Sequence, residues 1–480
     1  MRNKIVSIVK DSAKYGTGFI AQRLVGLFLT PIYTRIFVPA DYGVMNIIFT
    51  ASSLLTTLLS WGLGGSLFRY YHEYDEKGKT DLVSTIQFFR LFTSLVMCAV
   101  LSIFSTQLSK ILLGSSHHYS LLLLSLATVT FSVLWDLPID ILRLKLKAAI
   151  YNYLQVGSLL LQTSLSIILV ILLQYGLKGI FLSYMISSIA AFTAALWMTR
   201  KLIRLRINFS ILRKSLVFGI WLLPGRFSNW ITTSSDRIFL SRYASLSDVG
   251  IYSMSNQLAS ILWFFTSAFR TAWIPIAYKE LSNDESPSFF IKVSQYYTIL
   301  LSFIVFGCSL FSSDVIYILT PEAYHRAYLY VPILTYGFLF NGLDSMFSEN
   351  LNFANKTHYR SAAPLIGAFV NFGLNFYFIP RYNILGASIT TLLAYLISLL
   401  LGYFWARKFY PRIRYNLMKA FLICGYFVPF IIVGFLIDQR YSLYNITYKF
   451  VIFIVAICGA IAIFLNKEAK RVIVGKLKWN

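Results

Sequence analysis

Apolar runs of about 20 residues alternate with short polar breaks along the whole chain. Nowhere does the pattern alternate residue by residue over the ten or so positions of a membrane β-strand. Twenty residues at 1.5 Å each is the length of a bilayer-spanning helix. The pattern predicts fourteen of them, over about 13–33, 42–66, 86–108, 119–142, 153–174, 179–198, 215–236, 249–270, 293–312, 327–350, 361–379, 384–406, 417–437 and 445–465. The longest polar intervals, Arg69–Thr85, Arg200–Lys214 and Arg270–Lys292, are too short for a soluble domain. Arg2, Lys4, Lys10 and Lys14 lead into a full-length span without a small-residue cleavage site, so a retained helix is expected there. The expected fold is an all-α integral membrane protein.

Composition agrees: of 480 residues 57% are apolar and 13% charged, about half the charged share of a soluble domain. The net charge of +24 would point to nucleic acid in a soluble protein, but here its distribution matters more. With the N-terminus in the cytoplasm, 32 of the 43 Lys and Arg residues are assigned to the cytoplasmic side (Arg90, near the start of the third span, among them) and nine to the outside (Lys449, near the start of the fourteenth, among them), leaving Arg23 and Arg226 deep within spans. That bias fixes an orientation with both termini cytoplasmic, and nucleic acid is not an expected partner. Cys98, Cys308, Cys424 and Cys458 all lie in spans, which excludes a disulfide scaffold. No metalloprotease, nucleophile-elbow, phosphate-loop or DxD pattern is present, so no enzyme, metal or cofactor is expected.

An internal repeat is legible at helix breaks and charges. Gly16, Arg23 and Thr30 recur as Gly219, Arg226 and Thr233, and the sevenfold spacing puts each trio on one helical face. Thr34-Arg35-Ile36-Phe37 matches Asp236-Arg237-Ile238-Phe239, and Asp41-Tyr42-Gly43-Val44 matches Asp248-Val249-Gly250-Ile251. Ser66-Leu67-Phe68-Arg69 resembles Ser267-Ala268-Phe269-Arg270, and Tyr175, Gly179, Arg200 and Lys201 return as Tyr382, Gly386, Arg407 and Lys408. The repeat divides the chain into a six-helix bundle at 1–206, a second at 207–410, and two further helices with a basic tail at 411–480. Six is even, so the copies should be related by a pseudo-two-fold along the membrane normal, as in transporters that rock one half against the other.

The charges inside the spans are the candidate chemistry. Arg23 and Arg226 lie about ten residues from either helix end, hence about 15 Å deep. An arginine there costs roughly 2.5–3.5 kcal/mol on insertion scales. One on each bundle, facing a wet cleft, would suit a diphosphate, because the guanidinium donates parallel hydrogen bonds. Arg69 and Arg270, repeat-related at cytoplasmic ends, are candidates for an entry funnel or ordinary positive-inside residues. Pro224, just before Gly225-Arg226, predicts a kink in the seventh span. Asp136 and Asp344, on the fourth and tenth spans, are candidates for a coupling proton or Na⁺, while Asp140 is within a turn of Arg143. Gln155 and Gln162, and Asn371 and Asn375, form polar stripes that would suit sugar hydroxyls or serve as interhelical glue.

The run Thr30-Pro31-Ile32-Tyr33-Thr34-Arg35-Ile36-Phe37-Val38-Pro39-Ala40-Asp41-Tyr42-Gly43 resembles the first-span signature of the bacterial polysaccharide-biosynthesis flippases. Their superfamily also holds the multidrug and toxin extruders and the lipid II flippase. The second copy departs from the signature, with Ser241–Ser247 lacking the proline. The resemblance implies a cytoplasmic-membrane protein that moves undecaprenyl-diphosphate-linked repeat units of O-antigen, capsule or exopolysaccharide to the outer leaflet. It also implies a glycan polymerase and chain-length regulator as partners. The competing readings are a cation–drug antiporter, which calls for an acidic aromatic cavity, and a membrane glycan polymerase or ligase, which calls for a long charged outer loop.

Overall fold

With no water in a bilayer to satisfy backbone N–H and C=O groups, an apolar chain can cross only as helix or closed barrel. The computed structural model describes residues 25–26, 28–281, 286–436 and 442–464, and every regular element among them is helical. The chain forms two compact units, residues 1–253 with 368–387, and residues 254–367 with 388–480.

The first unit carries α1 (residues 28–36), α2 (Pro39–Leu59), α3 (Leu63–Tyr70), α4 (Glu76–Ile103), α5 (Ser105–Leu113) and α6 (Tyr119–Leu144). It continues with α7 (Ala148–Ile167, extended by a π-helical turn Ile168–Leu172), α8 (Gly176–Thr199), α9 (Phe209–Ile220) and α10 (Leu223–Tyr243). α6 is the central post, packed by α2, α4 and α8. Leu59, Cys98, Leu126, Val129 and Val133 fill one part of this core, and Leu63, Leu67, Ile86, Leu137, Ile141 and Ile211 another.

α11 (Leu246–Ala259) leads into the second unit, with α12 (Leu262–Glu280), α13 (Ser286–Leu310), α14 (Ser312–Leu319), α15 (Val331–Phe347) and α16 (Glu349–Phe353). α17 (Thr357–Phe409) is interrupted at Asn383 and supplies 368–387 to the first unit; α18 (Leu417–Tyr426), α19 (Val428–Leu436) and α20 (Leu443–Phe464) complete the second. α13 is its counterpart post, with Phe306 stacked on Phe427 and Phe453 at centroid distances of 5.0 and 5.5 Å. Because lipid is as apolar as these side chains, close packing and polar contacts hold such helices together.

Among the described residues, nine helices are long and apolar enough to cross a membrane, against the fourteen spans the pattern predicts. Most of the first span lies outside the described residues, and α17 joins two spans in one 53-residue element. Three further spans are broken in mid-course; the second still counts among the nine over Pro39–Tyr70, whereas the seventh and eighth do not, nor does the tenth, whose helix α15 has 17 residues. The second span parts into α2 and α3 at Ser60–Gly62, the seventh into α9 and α10 at Trp221–Leu222, and the eighth into α11 and α12 at Ser260–Ile261.

The breaks are locally alike. Ser60 Oγ donates to Thr57 O at 2.7 Å and Ser260 Oγ to Gln257 O at 2.8 Å. Trp61 N–H reaches Leu58 O and Ile261 N–H reaches Leu258 O, so each serine side chain caps backbone freed by the same kind of turn. Left-handed residues recur too: Leu146 (φ 54°) and Asn355 (56°), and Gln174 (54°) and Asn383 (46°), both pairs 209 positions apart. Lys147 N–H bonds Leu142 O at 2.9 Å and Lys356 N–H bonds Leu351 O at 2.8 Å, the same helix-ending turn at that offset.

Candidate functional site

Two of these breaks meet. Gly62, at φ 65°, begins α3, and a Cβ on it would stand 2.1 Å from Gly219 O; one on Gly219 would stand 2.4 Å from Trp61 O. Only glycine at both positions lets the α2–α3 and α9–α10 junctions touch backbone to backbone. Pro224 sits in the first turn of α10, where its missing N–H costs nothing, so the discontinuity predicted from that proline lies just ahead of it.

Arg226 follows in the same turn. It is exposed to a cavity of about 680 Å³ whose lining includes Ser53, Thr57, Asn229, Trp230, Thr233 and Ser234. Arg226 is the single charged side chain among the described lining residues. Its Nη1 donates to Ser60 Oγ at 3.2 Å, which ties it to the break in α2–α3. Trp230 Nε1 donates to Thr50 O at 3.2 Å and Ser53 Oγ at 3.0 Å, fixing α10 against α2 one turn further on.

Behind Ser60 stands Arg90 of α4, 1% exposed, whose Nη2 donates to Ser60 O at 3.4 Å. Its Nε and Nη1 make no hydrogen bond. Asp136 and Asp140 of α6 and Arg226 lie within electrostatic reach of it. Asp140 Oδ2 and Arg90 Nη2 close in on the same side of Gly64, 3.0 and 3.8 Å from where its Cβ would be, and Asp140 Oδ1 accepts from Arg143 Nη1 at 3.3 Å. Arg226 thus finds its counter-charges across helices, in a network of arginines and aspartates around Ser60. Arg90, counted among the cytoplasmic basic residues by sequence, is the member that reading missed.

The other candidates fall as follows. Arg23 lies outside the described residues. Arg69, in the last turn of α3, pairs with Glu73, which Lys214 also approaches at 3.4 Å while lying 4.2 Å from the Tyr70 ring. Arg270 is exposed on α12 in the second unit, within electrostatic reach of Tyr297. Asp344 is buried on α15; Ser398 Oγ donates to its Oδ2 at 3.0 Å, and its Oδ1 has no hydrogen-bond partner. Five residues on, Glu349 pairs with Arg360 at 2.7 Å and accepts from Asn352 at 2.8 Å.

The polar stripes are not in the cavity lining. Gln155 Nε2 donates to the Tyr151 hydroxyl at 3.4 Å, and Gln162 is buried on α7. Asn375 Nδ2 donates to Asp236 Oδ1 at 2.8 Å and Asn371 Oδ1 at 3.2 Å, while the Tyr252 hydroxyl donates to Asp236 Oδ2 at 2.6 Å. The asparagines therefore serve a buried carboxylate on α10 that the sequence reading noticed only as part of the repeat.

A family model described as "Polysaccharide biosynthesis protein" matches residues 8–280, and one described as "MatE" matches 225–377. Among curated proteins, the chain is 24% identical over 283 residues to an uncharacterized membrane protein of Haemophilus influenzae, covering 58% of this chain and 67% of that one. It is 23% identical over 313 residues to the succinoglycan biosynthesis transport protein ExoT of Rhizobium meliloti, covering 64% and 59%. The match thus spans about three fifths to two thirds of these relatives' lengths. Among solved structures, the lipid II flippase MurJ in an inward closed conformation superposes with a TM-score of 0.75 at 17% identity, over 92% of this chain and 97% of that one. An inward-facing multidrug resistance MATE family transporter gives 0.64 at 15%, over 84% and 96%. At these identities the structures speak to the fold.

Proposed function

Since the chain belongs to the polysaccharide biosynthesis protein family, a family of membrane transporters, we propose that it flips an undecaprenyl-diphosphate-linked oligosaccharide to the outer leaflet by alternating access. The observation that carries this reading is the sign of the cavity: one arginine, no carboxylate, and a lining of hydroxyls and one amide among the described residues. A guanidinium in a hydroxyl-lined pocket recognises a phosphate oxygen and its polar neighbours. Arg226 holds the diphosphate and Arg23 joins it from the first span, with Arg69 and Arg270 attracting the headgroup from the cytoplasmic side. A cation–drug antiporter would need an acidic lining, so that reading is the poorer one despite the fold it shares.

In this scheme the repeat units 1–206 and 207–410 are the rocking halves and 411–480 an appended pair. The protein lies in the bacterial cytoplasmic membrane with both termini inside, beside a glycan polymerase and chain-length regulator. Asp136 and Asp344, each buried or half-buried in its own unit, are the candidate carriers of a coupling proton or Na⁺.

The test is Arg226→Ala, with export of the lipid-linked glycan read by its accessibility at the outer leaflet and protein abundance checked in the same membranes. Export is expected to disappear at normal abundance, and Arg226→Lys to recover only part, because a point charge lacks the bidentate fork. Wild-type export in the alanine variant removes the diphosphate reading.

A further inference from the structure

A second, smaller cavity of about 150 Å³ shares Ser53 with the cation-bearing one. By volume it holds about five waters at ~30 Å³ each, room for one small ring and not for a chain of them. Three helices of the first unit wall it, each with residues three or four apart, the spacing that brings side chains onto one face.

Its chemistry is divided in two. Phe49 from α2 and Phe181 and Tyr184 from α8 make an aromatic wall, with the Phe49 ring 5.3 Å from Phe181 and 4.9 Å from Tyr184. The rest of the lining, Val129 apart, is small hydroxyl residues, and several of their protons are already committed. Ser52 donates to Ile48 O at 2.7 Å and shares a hydrogen bond with the Ser125 hydroxyl, Thr56 donates to Ser52 O at 2.9 Å and Thr128 to Leu124 O at 2.9 Å. A hydroxyl that donates to its own helix still has lone pairs, so these groups accept only. Two other lining hydroxyls, Ser132 and Tyr184, make no hydrogen bond among the described residues and remain able to donate.

We propose that this pocket is a subsite for one neutral sugar ring, the ring joined to the diphosphate. A pyranose has an apolar C–H face to lay on an aromatic wall and a rim of hydroxyls that both donate and accept. The pocket offers a predominantly apolar surface with a few hydroxyls at it and no charge. An isoprene unit would leave the acceptors and the two free hydroxyls without partners, which costs binding. Ser53, common to both cavities, places the ring next to the diphosphate site. The proposal rests on the reading of Arg226 as the diphosphate ligand and adds the identity of the neighbouring group. It also replaces Gln155, Gln162, Asn371 and Asn375 as the sugar contacts.

The experiment uses the full-length protein in lipid nanodiscs and three probes: inorganic pyrophosphate, farnesyl diphosphate, and farnesyl diphosphate carrying one hexosamine. The wild type is expected to bind the glycosylated probe about tenfold more tightly than farnesyl diphosphate. Tyr184→Leu should abolish that ratio, and Tyr184→Phe and Ser132→Val should each reduce it a few-fold by removing one donor. All three should leave pyrophosphate and farnesyl diphosphate binding unchanged, which also shows that they fold. Arg226→Ala should weaken all three probes together; if it weakens none, the diphosphate reading fails on its own account and the subsite with it. Should Tyr184→Leu weaken both farnesyl probes equally, the pocket holds isoprene and the sugar subsite is overturned. Unchanged ratios in all three pocket variants overturn it as well.

Discussion

Replacing Arg90 with methionine removes a guanidinium that is 1% exposed and leaves the aspartates facing it without that charge. Asp140 keeps Arg143 at 3.3 Å, so the uncompensated group is chiefly Asp136, with Arg226 the remaining cation in reach. Removing one partner of a buried charge set costs about 3–5 kcal/mol. Because the remaining cations still act on both carboxylates, the lower end applies, about 3 kcal/mol. The loss should not be uniform in kind. Arg90 and Arg226 hold the same serine, one at its carbonyl and one at its hydroxyl, so freeing one end loosens the other.

The assay is a double-mutant cycle with Asp136→Leu, read by thermal unfolding of the purified protein and by pyrophosphate binding. Arg90→Met should lower stability sharply, and Arg90→Met/Asp136→Leu should regain most of it, because removing both charges leaves no buried ion alone. Pyrophosphate binding should fall several-fold in the single variant even where the protein remains folded. If the single variant unfolds like the wild type, or the double variant is no better than the sum of its parts, the charges around Ser60 are not a coupled set.

Gly219→Ala should destabilise by about 1–3 kcal/mol by overpacking, since its Cβ would press to 2.4 Å on Trp61 O, while Gly225→Ala, whose Cβ meets nothing within 4 Å, should be tolerated; equal unfolding temperatures would refute the backbone contact. In the second unit, Lys449 Nζ donates to Asp314 Oδ2 and Ser313 Oγ at 2.7 Å each, so Lys449→Met should cost about 3–5 kcal/mol and Lys449→Met/Asp314→Leu much less, as measured by unfolding. If Asp136 or Asp344 carries the coupling ion, its Asn variant should keep pyrophosphate binding and lose uphill export; unchanged export in both variants, with and without an uncoupler, would place coupling elsewhere.

What the sequence makes legible is set by what hydropathy measures. The fourth span, read as about 119–142, is α6 at Tyr119–Leu144, because an unbroken apolar run and a helix coincide there. The third, read as starting near 86, begins as α4 at Glu76, capped by Asp75, whose carboxylate accepts from Gly78 N at 2.8 Å. Hydropathy marks where lipid begins, whereas a helix of polar residues continues beyond it. That ten-residue difference places Arg90 well inside a helix and not at its entrance. Lys449 was misplaced similarly: counted with an outer loop, it is buried in the second turn of α20. The mid-span breaks are silent for another reason. Leu58, Leu59, Trp61 and Leu63 are as apolar through a left-handed turn as through a helix, and only backbone angles distinguish them. The partners of Asn371 and Asn375 are long-range, 139 residues away in the case of Asp236, and no local pattern encodes them.

The position of the cavity arginine follows from the same breaks. A continuous seventh helix would place Arg226 mid-membrane with its backbone fully bonded and its side chain facing either lipid or packed neighbours. Parting that helix at Trp221–Leu222 turns Arg226 into a first-turn residue of α10. A helix N-terminus carries partial positive charge and backbone N–H groups without intrahelical partners, so it adds to the guanidinium in favouring an anion. Irregular backbone at membrane depth is tolerated where it is buried in protein or lines a polar cavity, and this junction meets both conditions through Gly62, Ser60 and the hydroxyl lining. On the reading proposed above, the break that would be a defect in a simple membrane anchor becomes the feature that holds a cation where the diphosphate would bind. Closing it should cost anion affinity even with Arg226 in place. Replacing Pro224 with alanine alone should do little, because the Gly62–Gly219 contact holds the junction from outside.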